Sequence, residues 1–382
     1  MLFSRRADAL HEPPNALGRA AARARARGNV LDLTVSNPTA AGLPYAGEAI
    51  LRAIATPASL VYAPEALGLP SARAVVAAEY GIAPAHVAIT SSTSEAYAVL
   101  FKLLCDPGEE VLVPVPSYPL LAWLAAFEGV KLVTYPLVYA GGWHVDVGAL
   151  AAAVTPRTKA IVVVSPNNPT GSYLGREELA AMLALGLPMI VDEVFATYPL
   201  GTIPEHRVRS VLEARTGLVF RLSGLSKLVG LPQLKLGWIA CGGDPALLPG
   251  TIERLETVLD AYLSVGAPVQ HALPALLAAG RLTADAIRAR IRANLRIVRA
   301  RCAGTLVTVL DVEGGWSAIL RVPETETDEA WALWLLEQDS VLVQPGYFFD
   351  LTRGAHLVVS LLTPEADLAA GIERIVARVS AS

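Results

Sequence analysis

Cysteine is scarce in this chain: Cys105, Cys241 and Cys302 are the only three in 382 residues. An odd, widely spaced set of that kind makes neither a disulfide framework nor a zinc site. Long apolar runs are missing too. Although 53% of the residues are hydrophobic, none of the uninterrupted stretches reaches the roughly 18 residues that a membrane-spanning helix needs. The opening Met1-Leu2-Phe3-Ser4-Arg5-Arg6-Ala7-Asp8 lacks an apolar core of signal-peptide length. A net charge of −4 provides no electrostatic footprint for nucleic acid, and the arginines between Arg19 and Arg27 alternate with alanine as on a solvated helix face. No Gly-x-Gly-x-x-Gly follows a strand, and Gly-Lys-Ser/Thr, His-Glu-x-x-His and Gly-x-Ser-x-Gly are absent, which removes the common nucleotide, zinc-protease and serine-hydrolase signatures. These absences leave a soluble, ligand-binding protein of a reducing, cytoplasmic compartment, with no membrane or nucleic-acid partner. It is long enough for one large domain or two moderate ones.

What is present is an alternation. Short β-rich runs at 87–90, 110–114, 131–137, 160–165, 189–194, 219–222 and 236–241 are separated by segments of helical periodicity such as 94–105 and 176–185. Several of the runs are near-continuous Val, Ile and Leu, as strands covered on both faces are. The pattern predicts an α/β layer around a mostly parallel sheet of seven strands. After residue 265 the texture changes. A long Arg-rich helix at 285–302, strands at 305–310, 316–322 and 356–361, and helices at 328–338 and 364–379 read as a smaller α+β domain. The first 45 residues are too short to fold alone. The expected division is a large domain over 46–265, with 1–45 joining 266–382.

Three segments carry chemistry. Lys227, one of five lysines, sits in Leu222-Ser223-Gly224-Leu225-Ser226-Lys227. On a tight, small-residue turn after an apolar strand it is poorly placed to pack or solvate, and well placed to condense with a carbonyl. Asp192 ends the buried run Pro188-Met189-Ile190-Val191, where a carboxylate must be paired or stay neutral; a helix cap or an ion pair with an arginine would also satisfy it. Asn168 lies in Ser165-Pro166-Asn167-Asn168-Pro169-Thr170-Gly171, a rigid turn at the strand end where open α/β sheets place ligands. Asn167 and Asn168 could instead serve only the turn. A further hydroxyl cluster, Thr90-Ser91-Ser92-Thr93-Ser94, begins a helix after a strand. That is a phosphate site, ordinary capping, or both.

In order and rough spacing these segments resemble the class I/II aminotransferases, fold-type I enzymes that use pyridoxal 5′-phosphate, across roughly residues 28–380. The resemblance implies that Lys227 forms a Schiff base with the cofactor and moves the proton at the reacting carbon. Asp192 would pair with the ring nitrogen and make the ring an electron sink, and the Asn168 amide would donate to the ring's O3′ oxygen. Ser92, Thr93, Ser94, Ser226 and Lys235 would hold the phosphate. Here Lys235 stands where the family usually has arginine, which loses the bidentate fork. Tyr118 matches the aromatic that stacks on the ring. Tyr62 matches a tyrosine that reaches the phosphate of a neighbouring subunit, which implies a homodimer with shared sites; either ring could also be plain packing. Ser36 and Asn37 fall in a loop that resembles the segment closing over substrate. The aromatics of Pro345-Gly346-Tyr347-Phe348-Phe349 suit an apolar substrate group or domain packing.

Two departures bear on the chemistry. Phe195 replaces a tyrosine that donates to O3′, so the yellow, protonated form of the bound cofactor should persist to unusually high pH. Val358, in His356-Leu357-Val358-Val359-Ser360, stands where the family's arginine clamps the substrate carboxylate. Arg353 is the nearest cation in sequence; otherwise the carboxylate is held differently or is absent. The expected activity is amino transfer between a small-molecule amino donor and an oxo acceptor, by way of pyridoxamine phosphate. A β- or γ-lyase or a carbanion-oxidising enzyme on the same fold is the alternative, because fold and cofactor do not fix reaction type. A non-catalytic, PLP-binding regulatory module is disfavoured, since strand-like sequence begins by Leu31 with a single basic helix before it.

Overall fold

A computed structural model describes residues 2, 4, 6, 7, 15–28 and 30–381; the remaining part of the 1–45 segment lies outside the described residues. The first strand is β1 (Leu31–Asp32). There follow β2 (Val87–Thr90), β3 (Glu110–Val115), β4 (Lys131–Tyr139), β5 (Trp143–Val145), β6 (Thr158–Val164), β7 (Met189–Asp192), β8 (Leu218–Gly224) and β9 (Gly237–Gly243). The last five are β10 (Thr308–Val309), β11 (Ser317–Val322), β12 (Val341–Leu342), β13 (Gln344–Pro345) and β14 (Ala355–Ser360).

Strands β2 to β9 form one sheet in the order β2-β9-β8-β7-β6-β3-β4-β5. The central pairs β8–β7, β7–β6, β6–β3 and β3–β4 are parallel, whereas β9 runs antiparallel to both β8 and β2. The seven expected strands are all present, within a few residues of their expected ends. An eighth, β5, joins the edge as a hairpin partner of β4, closed by Ala140-Gly141-Gly142, whose Ala140 N–H donates to the Gly142 carbonyl at 2.9 Å. Alternate side chains of the sheet feed two cores, as the two-residue period of a strand requires. Val111, Val113, Ile190 and Phe220 pack under the helices Thr93–Leu104 and Leu248–Asp260. Leu112, Ile161, Val191 and Val219 pack under Arg176–Ala184 on the other face.

A second, four-stranded sheet has the order β10-β11-β14-β13. Ala318, Leu320, Leu357 and Val359 on one of its faces join Trp331, Leu335, Leu368 and Ile372 in a separate core. The N-terminal segment is tied to this part. β1 pairs in parallel with β12, the Ser360 N–H donates to the Leu33 carbonyl at 2.7 Å, and Leu33 is fully buried in the same core.

The helix expected at 285–302 is longer: it runs without interruption over Ala267–Cys302, 36 residues, with Pro274 inside it. Its first half contributes Ala272, Leu273 and Leu276 to a core with Leu69, Leu225 and Trp238. Its second half contributes Ile287, Ile291, Leu295 and Val298 to the core of the second sheet. Tertiary packing on both sides keeps the helix whole across Pro274.

Candidate active site

The registers align the carboxyl ends of the parallel strands. Thr90 of β2 lies opposite Gly237, Gly237 opposite Gly224 of β8, Leu222 opposite Asp192 of β7, and Asp192 opposite Val164 of β6. One edge of the sheet therefore carries Ser91–Ser94 after β2 and Lys235 before β9, then Ser226 and Lys227 after β8. Asp192 ends β7, Asn168 follows β6 and Tyr118 follows β3. Residues spread over 144 positions of sequence, from Ser91 to Lys235, meet there because parallel strands all deliver their carboxyl ends to the same side.

Lys227 sits in the single helical turn Leu225–Leu228. Gly224 just before it is required by close approach: a Cβ there would lie 2.9 Å from both the Gly237 Cα and the Leu236 carbonyl oxygen. The fully buried Tyr198 anchors the turn from below, its hydroxyl donating to the Lys227 carbonyl at 2.6 Å and the Leu228 carbonyl at 3.2 Å. The Lys227 Nζ stands 5.1 Å from the Trp316 ring centre and 5.9 Å from that of Phe195. Burial pulls its pKa below the ordinary lysine value, against the opposing charge of Asp192.

Burial pushes the Asp192 carboxyl up to about 6. Its partners are the Val194 N–H at 3.1 Å and the Tyr97 hydroxyl at 3.3 Å, and Tyr97 is held well above its usual pKa, first by burial and then by Asp192 itself, so it stays a neutral donor. Two donors and one distant ammonium leave this carboxylate short of countercharge. A protonated pyridine nitrogen supplies that charge, so the donor set fits the cofactor implied by the resemblance. The adjacent Glu193 points the other way, as alternation along an extended segment dictates. It pairs with Arg221, which stacks 3.7 Å from the Tyr80 ring centre, and it accepts from the Val211 N–H at 2.6 Å.

The two asparagines of the turn divide the work. Asn167 is buried and its amide is used internally, donating to the Pro116 carbonyl at 3.0 Å and the Thr170 hydroxyl at 2.9 Å. Asn168 reaches outward, its Oδ1 accepting from the Ser317 hydroxyl at 3.1 Å. At the start of the helix Thr93–Leu104, Ser92 is the cap, accepting from the Glu95 N–H at 3.2 Å, while Glu95 accepts from the Ser91 N–H at 2.6 Å. Capping therefore holds for Ser92, and the first-turn amides of Thr93 and Ser94 remain directed out of the helix. Gly237 lets β9 approach this turn: a Cβ would fall 3.2 Å from the Thr93 nitrogen. Lys235 is exposed and left-handed, with φ 50°, a backbone state uncommon outside glycine. Tyr118 is half exposed.

The remaining expected residues lie on loops away from these strand ends. Tyr62, 85% exposed, lines a surface cavity of about 410 Å³ with Tyr262 and Leu263. Asn37 uses its Oδ1 to cap Pro38–Ala40 through the Thr39 N–H at 3.0 Å, and both it and Ser36 are exposed. Arg353 stands apart from the strand ends described above. It is exposed in the turn before β14, whereas the end of β14 nearer Asn168 is Ser360, which pairs with Ser317; the six residues of β14 separate the two ends by roughly 17 Å or more. Val358 is buried among Trp143, Leu310, Ile319, Phe349 and Leu351, an apolar cluster with no charge to offer a carboxylate. Sequence reasoning missed Tyr97, Tyr198, Trp316 and Ser317. None belongs to a motif, and only the aromatic-serine pair after Gly314-Gly315 offered a local signal.

The Aminotransferase class I and II family matches residues 28–375. An alanine aminotransferase of Mycobacterium tuberculosis is 30% identical over 398 residues, covering 96% of this chain and 90% of that protein. The glutamate-pyruvate aminotransferase AlaA of Escherichia coli is 29% identical over 67% of this chain and 66% of its own length. Among solved structures, the alanine aminotransferase from Pyrococcus furiosus superposes with a TM-score of 0.86 at 24% identity, over the whole of both chains. N-succinyldiaminopimelate aminotransferase from Mycobacterium tuberculosis gives 0.81 at 26%, over 98% and 99%. Fold and family together define a fold-type I, pyridoxal-phosphate-dependent transferase. This chain belongs to the class I and II aminotransferase family, and its reaction is the transfer of an amino group.

Proposed function

We propose that this edge of the sheet binds pyridoxal 5′-phosphate and that Lys227 is the residue that bonds it. When bound, the cofactor supplies an aldehyde that captures amines and a cationic ring that draws electrons from the carbon losing its proton. The protein's own groups do the rest. Asp192 keeps the ring nitrogen protonated, and Asn168 donates to the ring oxygen. Ser94, Thr93 and Ser92 at the helix start, with Ser226 and Lys235, hold the phosphate, and Tyr118 covers one ring face. Lys227, whose amine is deprotonated more readily than an exposed lysine's, would accept the proton from the substrate carbon at Nζ and hold it for redelivery. Tyr62 completes the phosphate site of a second copy, which makes the working unit a homodimer.

The observation that carries this reading is the meeting, on adjacent strand ends, of a buried lysine whose pKa burial lowers and an under-neutralised carboxylate. Glutamate and pyruvate are the first donor and acceptor to try, because relatives carry those names. The apolar surroundings of Val358 argue that any carboxylate is held without an arginine at that position. Borohydride reduction of the cofactor-loaded protein, followed by peptide mapping, is expected to find the label on Lys227; an unmodified Lys227 refutes the proposal. A donor screen that bleaches the visible band without releasing ammonia supports amino transfer, and ammonia release marks a lyase instead.

A further inference from the structure

Asn168 has a fixed backbone and a side chain with a single hydrogen-bond partner. Its neighbours hold the main chain: Asn167 is consumed by the turn, as the Gly171 N–H donates to the Asn167 carbonyl at 2.7 Å, and Pro169 fixes the following φ. The carboxamide of Asn168 is oriented only by Ser317, whose hydroxyl donates to Oδ1 at 3.1 Å. Ser317 belongs to the other sheet. It begins β11 opposite Ser360 of β14, whose hydroxyl donates to the Val35 carbonyl and accepts from the Leu362 N–H at 3.1 Å. A serine on the smaller sheet thus sets the rotation of an amide on the larger one.

The orientation matters because an amide offers different chemistry at its two ends. A ring oxygen carrying negative charge only accepts, so Nδ2 must face it and the hydroxyl must serve Oδ1. Phe195, edge-on to Trp316 at 5.2 Å, contributes no O–H. That leaves Asn168 as the single side-chain donor proposed for the ring oxygen. We propose that Ser317 is a positioning residue that aligns Asn168 with the cofactor's ring oxygen, in place of the second donor that Phe195 lacks. The proposal rests on the reading of Asn168 given above.

The measurement is the midpoint of the pH titration of the visible band in the cofactor-loaded protein. A donor on the ring oxygen weakens that oxygen's hold on the proton it shares with the Lys227-bound nitrogen, so losing alignment raises the midpoint. Ser317→Ala should raise it by about half to one unit, a three- to tenfold fall in the proton dissociation constant. Ser317→Thr, which keeps the hydroxyl, should restore at least half of the shift. In an Asn168→Ala background Ser317→Ala should add nothing. A midpoint that moves in Asn168→Ala but not in Ser317→Ala overturns the proposal alone. One indifferent to Asn168→Ala overturns the reading of Asn168 and the proposal with it. A Ser317→Ala shift that persists undiminished without Asn168 assigns the effect to general loosening and also overturns it.

Discussion

Asp192 and Glu193 are neighbouring carboxylates with opposite fates, and the difference is electrostatic. Glu193 has a guanidinium against it; Asp192 has two neutral donors and burial that lifts its pKa from 3.8 to about 6. The folded protein therefore holds the Asp192 proton more tightly than the unfolded chain does. Its contribution to stability is full below about pH 4 and is lost as pH rises through 6. Asp192→Asn removes this dependence, so the cofactor-free variant should match the parent near pH 4 and exceed it at pH 7 by up to about 3 kcal/mol. Urea unfolding at the two pH values checks it, and a gap that fails to open excludes the assigned environment. At this scale the residues readable from sequence were those whose type is unusual for its place: a lysine on a small-residue turn, an aspartate ending an apolar run, an asparagine among prolines. Tyr97 and Ser317 are ordinary residues at ordinary positions, and their partners are 95 and 149 residues away.

At the scale of elements, the period of the apolar residues located the parallel strands, because burial on both faces forces continuous Val, Ile and Leu. It missed β5, which is three residues long and attached at the edge, although Gly141-Gly142 after a β-rich run is a hairpin signal. The start of the long helix was hidden for another reason: its N-terminal half lies against the larger core and lacks the charged face that marks a surface helix. Gly280 belongs to that half. A Cβ there would press on Val229, with both Cγ atoms 3.0 Å away, and Val229 follows Lys227 by two residues on a stiff, β-branched side chain. Gly280→Ala should cost about 1–2 kcal/mol despite the better helix propensity of alanine. Val229→Gly added to it, which removes the Val229 Cβ that presses hardest as well as both Cγ atoms, should recover much of that loss. A double-mutant cycle by urea denaturation gives the coupling, and simple additivity would mean the contact is unimportant.

For the whole molecule, the proposed role of Tyr62 extends the site past one chain. Tyr62 is exposed, and its loop, with Leu60, Val61, Tyr262 and Leu263, leaves apolar surface uncovered. If a second copy covers it, two defective subunits can repair each other. Mixing Lys227→Ala with Tyr62→Ala should regenerate one site per mixed dimer with both residues intact, giving up to about a quarter of parental activity from an equal mixture, against near zero for Lys227→Ala alone. No gain above the sum of the parents would place Tyr62 outside a neighbour's phosphate site. Sequence could suggest this sharing only through resemblance, since no property of one chain records what lies across a symmetry axis.

The helix Ala267–Cys302 is about 54 Å long if straight, and it is embedded in the larger body at one end and the smaller at the other. A beam set in two blocks ties them mechanically. Relative movement of the blocks must then be a small rotation about the middle of that beam, where Leu277 to Ile287 pass from one block to the other, because a wider excursion would tear its apolar face from one of its seats.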